Sequence, residues 1–103
     1  MARWSETPAD LVQINRVVHK LKLVGLVLVT LRNGSSIEGW VTRDSIENNA
    51  GVGGWRSRGE VELRLLDGSL RTIDYLDIES AANVWKERHE EFERAGLIVP
   101  PVA

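Results

Sequence analysis

The stretch Trp55-Arg56-Ser57-Arg58 carries the residue types in this chain best suited to holding another molecule. An indole beside two guanidinium groups can stack a nucleobase and hold its phosphate. The stretch closes a run rich in glycine and asparagine, residues 47–59, which reads as a long exposed loop with at most a short strand at its start. The plainer reading is a surface loop whose tryptophan folds back on the body of the protein, and the residues alone leave both open. No other combination reaches this level. Gly51-Val52-Gly53-Gly54 has no following lysine to make a phosphate loop, and Trp55 would crowd the approach. His19 and His89 stand alone; His89-Glu90-Glu91-Phe92-Glu93 has glutamate where a zinc-protease helix needs its second histidine, so it reads as a solvated helix face. The serines lack a recognisable His and acid, and no acid, base, nucleophile or metal-ligand set converges. The expectation is a non-enzymatic protein with no metal and no cofactor.

Composition narrows the setting. A chain of 103 residues supports one domain with one core, here expected to span 1–103. The 43% apolar and 27% charged content is that of a globular protein. With no cysteine, the core must stabilise the fold unaided, which fits a reducing cytoplasm. No secretory leader is visible at the N-terminus. The longest apolar stretch, Leu21 to Leu31, is about half the roughly 20 residues of a membrane helix, so no membrane role is expected. Charge runs from +2 up to Lys22, through −3 over residues 23–79, to −1 beyond. A mildly acidic middle argues against a broad nucleic-acid footprint and confines any RNA contact to a local patch.

These residues must be positioned by short elements. Thr7-Pro8-Ala9-Asp10 reads as a helix start, and Leu11, Ile14, Val17, Val18 and Leu21 make one apolar face of a helix over 8–21. Gln13, Asn15, Arg16 and Lys20 fall on its polar face. Strands are expected within 23–79. Residues 23–31 are apolar on both faces and end at Asn33-Gly34, a hairpin signal. The two-faced strand suggests cover by a barrel interior on one side and by the first helix on the other. An odd loop, Arg32-Asn33-Gly34 with Gly34 left-handed, puts Val29 and Leu31 on the side of Ile37, Gly39 and Val41. Trp40 then faces the other way, under a helix or at a subunit contact. Val61, Leu63 and Leu65 alternate in a later strand, Asp67-Gly68 turns it, and Tyr75 to Ile78 makes a tight turn into a closing strand. Ser80 is the expected cap of a second helix over 80–95, anchored by Trp85, and Pro100-Pro101 marks a loose tail. The fold class is therefore mainly β with flanking helices: a small antiparallel barrel of about five strands, Sm-like or SH3-like, because short antiparallel strands must curl or be covered.

The run from Val29 to Val41 resembles the first motif of the Sm-like (LSm, Hfq-type) family, with Leu31, Gly34, Ile37, Gly39 and Val41 at matching positions. The likeness covers roughly Leu11 to Ile78. It implies an Sm-like barrel whose copies pair edge strands into a homo-oligomeric ring, with RNA bound in a loop pocket. Asn49 falls at the spacing of the family's pocket asparagine; the family's acid position is Ser45, with Asp44 one residue earlier. Asp67-Gly68 stands where the second motif has a basic residue before glycine. Asn49, Trp55, Arg56 and Arg58 are the candidate nucleic-acid contacts. The alternative is an SH3-like protein-interaction or structural module with no nucleic-acid role, and no small-molecule substrate is indicated.

Overall fold

The computed structural model describes residues 2–49 and 53–97. Gly51 and Val52 of the glycine run, and the tail expected at Pro100-Pro101, lie outside the described residues. Helix α1 spans Pro8–Lys20. Its start is held by a reciprocal cap: the Asp10 N–H donates to the Thr7 hydroxyl (3.1 Å), and the Asp10 carboxylate accepts from the N–H groups of Glu6 (2.9 Å) and Thr7 (3.3 Å). Five strands follow, β1 (Leu26–Leu31), β2 (Ser36–Asn48), β3 (Ser57–Arg64), β4 (Leu70–Asp74) and β5 (Ile78–Asn83), with a 3-10 turn at Tyr75–Asp77 before β5 and helix α2 (Trp85–Arg94) after it. They form one antiparallel sheet in the order β4-β3-β2-β1-β5.

Two hairpins use the same local solution. The Leu31 N–H donates to the Ser35 carbonyl (2.8 Å) and Gly34, at φ +89°, donates back to Leu31 (3.0 Å). Leu65, Ser69 and Gly68, at φ +87°, repeat those bonds at 2.8 and 2.9 Å. In each loop one side-chain oxygen, of Asn33 or of Asp67, accepts from both the N–H and the hydroxyl of the following serine. The expected odd loop is present, and Val29 lies opposite Ile37.

Gly39 is where the sheet folds over. A Cβ there would sit 2.7 Å from the Arg64 carbonyl oxygen and 3.0 Å from the Leu63 Cβ, so β2 and β3 approach too closely for any side chain. A register shift between Val41 and Arg43 adds to the bend. The curl wraps a core of Val27, Val29, Val61, Leu63, Ile73 and Ile78, sealed by Ile14 and Val17 of α1 and by Leu76. Leu26 turns to the opposite face and packs with Phe92, Trp40 and Trp85.

Several expectations need correction. The second face of β1 is covered by α2, whereas α1 closes the barrel interior. Ser80 caps no helix: it pairs with Thr30 in β5, because β1 needs a partner along its outer side. Helix α2 starts at Trp85, whose N–H donates to the Asn83 side chain (3.0 Å). The strands β2 and β3 continue well into the run read as a loop, leaving residues 49–56 to connect them. Gln13 and Arg16 do not face solvent. The buried Gln13 amide donates to the carbonyls of Tyr75 (3.0 Å) and Ile78 (2.6 Å), and Arg16 donates to those of Ile78 (3.1 Å) and Glu79 (2.8 Å). Together they supply donors to backbone acceptors that the turn leaves unpaired. His89 is half-buried, stacked on Trp85 at 4.9 Å.

Candidate nucleic-acid interface

Asn49 ties itself to Gly54 and Arg56. Its N–H donates to the Arg56 carbonyl (3.0 Å), its carbonyl accepts from Gly54 (2.9 Å), and its side-chain oxygen accepts from the Arg56 N–H (2.7 Å). Gly54 lies so close that a Cβ would fall 2.2 Å from the Asn49 side chain. The carboxamide oxygen of Asn49 therefore holds the main chain of Arg56 in place beside Gly54. Trp55, two residues before β3, is 53% exposed, with the Arg56 guanidinium 5.9 Å from its ring centre. Arg58 is not with them. It lies 4.5 Å over the ring of Trp4 and pairs with Glu47 at 2.6 Å. Of the four candidates, the fold thus groups Asn49, Trp55 and Arg56 and sends Arg58 to the N-terminal segment.

That segment runs along β3 beyond the end of β4. The Ser5 N–H donates to the Ser57 carbonyl (2.7 Å), the Ser57 N–H donates to the Ser5 hydroxyl (2.9 Å), and the Arg3 N–H donates to the Asp74 carboxylate (2.9 Å). The Arg3 guanidinium reaches Asp74 (2.9 Å) and Asp77 (2.6 Å). Between this segment, the β1–β2 loop and the 3-10 turn lies an open cleft of about 660 Å³. Arg3, Arg32 and Arg56 line it together with Glu6, Asp10 and Asp77, over Leu76 and beside Trp4. Sequence reasoning missed Arg3, Trp4 and Arg32; the basic excess before residue 23 was a signal for Arg3, and Arg32 had none in the acidic middle region.

Tyr75 opens the 3-10 turn that carries Leu76 and Asp77 and does not itself line the cleft. Its ring lies against Gly59, where a Cβ would meet the ring at 2.3 Å, and its hydroxyl donates to Asp44. Burial first, and the Asp44 carboxylate second, push the hydroxyl well above its ordinary pKa. The group is neutral in both folded and unfolded chains at neutral pH, so its contribution is constant there. Above about pH 10 the unfolded chain releases this proton more readily, and stability falls as pH rises further. Denaturant unfolding between about pH 8 and pH 11.5 checks this, with Tyr75→Phe expected to flatten the alkaline fall. Tyr75 is the sole tyrosine, so absorbance reports its ionisation directly.

Among the described residues no helix is long and apolar enough to cross a membrane. No protein-family model matches the sequence, and no curated protein matches it significantly. Among solved structures, the chain is similar to a Xanthomonas campestris protein whose crystal structure adopts a novel variant of the Sm-like motif. The TM-score is 0.59 at 19% identity, over 81% of this chain and 94% of that one. Identity this low speaks for fold alone, and the fold it supports is the Sm-like curled sheet flanked by two helices.

Proposed function

We propose that this protein is a non-enzymatic Sm-like module whose copies associate edge to edge into a ring and contact RNA through Asn49, Trp55 and Arg56, with Arg58 beside them on β3. The observation that carries the assembly is the sheet order, which leaves β4 at one end and β5 at the other. The Leu65–Ser69 bond sets the alternation along β4, turning the main chain of Arg71 and Ile73 toward β3 and that of Leu70 and Thr72 outward. The Val84–Leu26 bond does the same for β5, turning Ala81 and Asn83 outward. Open edges of this kind are templates for a further strand, and pairing β4 of one copy with β5 of the next would satisfy both. The RNA reading is supported by the exposed Trp55 beside Arg56.

Light scattering tests the assembly. The wild type is expected at roughly five to eight copies per particle. Thr72→Pro removes an outward N–H without touching a β3 bond, and is expected to give a folded monomer with unchanged circular dichroism. A wild type that is strictly monomeric overturns the ring. That result would favour the SH3-like alternative, because the same edges can accept a strand from a different protein.

A further inference from the structure

We infer that the outward face of α1 is an interface, and that its partner is α1 of a second copy, packed antiparallel across a two-fold axis. This contact goes beyond the edge-to-edge ring and uses neither β4 nor β5.

The starting observation is an exchange of residue types. A surface helix ordinarily turns its apolar stripe inward and its polar residues to water. Here Gln13 is buried and Arg16 half-buried, while Val12 is 67% exposed and Val18 39%. A single exposed valine needs no explanation, but polar groups inside and valines outside on one helix do. The exposed residues between positions 8 and 18 are Pro8, Ala9, Val12, Asn15 and Val18, none of them charged. The two charged residues of that stretch are committed: Asp10 to the N–H groups at the helix start, Arg16 to the carbonyls of Ile78 and Glu79.

Exposed charge stands only at the two ends, and with opposite signs. Glu6 precedes the helix, whereas Lys20 closes it and Lys22 follows, all three exposed. Among the described residues their side chains make no ion pair. A second α1, turned through a half-turn about an axis near Val12 and Asn15, sets Glu6 of each copy against Lys20 and Lys22 of the other. The face is thus self-complementary, as a two-fold contact requires, and the two helix dipoles run in opposite directions. A parallel pairing would set like charges together at both ends. The 13 residues of α1 extend only about 20 Å, and one such pair falls short of a standard interface of about 1,600 Å². A lone pair is therefore weak, and two rings facing each other would gain strength by engaging one pair per copy.

The test follows particle mass by light scattering as protein concentration is raised, and the wild type should double. Val12→Glu sets two like charges in each pair and should raise the concentration needed for doubling at least about tenfold, with circular dichroism unchanged. Glu6→Lys should not double, nor should the variant carrying Lys20→Glu with Lys22→Glu. An equal mixture of those two should recover doubling, which a merely structural role would not produce. The chain has no cysteine, so Val12→Cys places a single thiol near the axis. Mild oxidation should link that variant into pairs, also when Thr72→Pro is added, while Lys86→Cys on α2 should stay unlinked. A ring that never doubles, or a Val12→Cys chain that links no better than Lys86→Cys, overturns this interface and spares the ring. Doubling from a single copy spares the interface and overturns the ring. Lysine-dependent binding to phosphatidylserine vesicles or to single-stranded RNA, without doubling, would give this face an anionic partner and overturn the two-fold pairing.

Discussion

Gly39→Val should destabilise the protein by about 3 kcal/mol, lowering the thermal midpoint by roughly 12–20 °C. Two effects compete at this position. Glycine in a strand costs about 0.5–1 kcal/mol of backbone entropy relative to alanine, so adding a side chain has a small favourable part. Against it stands a backbone oxygen, that of Arg64, at 2.7 Å from where the Cβ would be. A backbone atom paired within a sheet cannot rotate aside as a flexible side chain does, so β2 and β3 must separate where they cross, and this term wins. Gly39→Ala should show the same direction at about 2 kcal/mol. Thermal unfolding followed by circular dichroism measures both. An alanine variant as stable as the wild type would mean that the sheet does not curl tightly at residue 39.

Phe92→Ala is expected to release α2 while leaving the barrel folded. Phe92 is fully buried and is the one buried side chain of that helix. Its cluster with Leu26, Trp40 and Trp85 is separate from the barrel core. Truncating a buried phenylalanine costs about 3–5 kcal/mol, and the ten residues of α2 have little else to hold them. What remains is the Arg88–Glu38 pair at 2.7 Å, on side chains 32% and 25% exposed, and the tilted Trp40–Trp85 contact at 6.0 Å. A partly exposed pair contributes about 1 kcal/mol or less, too little to retain a helix this short and polar. Hydrogen exchange should therefore accelerate across 85–94 and remain slow in β1, β2 and β3, while tryptophan emission shifts to the red. Uniform acceleration throughout the chain would show instead that α2 and the barrel unfold as one unit.

The parts of the fold legible in the sequence are those whose causes are local. Asn33-Gly34 dictates its hairpin, and the buried face of Val29 and Ile37 selects the odd loop over an even one. The bend at Gly39 and the outward turn of Trp40 follow from the same alternation. What escaped depends on partners distant in the chain. Ser80 looks like a helix cap until Thr30 is known to lie beside it. Arg43, Ser45, Glu47 and Arg58 give no apolar alternation, so the outer halves of β2 and β3 resemble a loop although they pair throughout. Gln13 reads as surface because the carbonyls it serves are 62 and 65 residues away. The cleft was hidden for the same reason, since it assembles Arg3, Arg32 and Arg56 from three separate parts of the chain.

The rim beside β3 is a mosaic, with β4 supplying one stretch and the N-terminal residues the next, tied where Arg3 meets Asp74 across 71 positions. A neighbour docking there would touch both tiles at once. Tags or leaders fused ahead of Ala2, which is itself buried, would thus intrude on the very border along which copies are proposed to join.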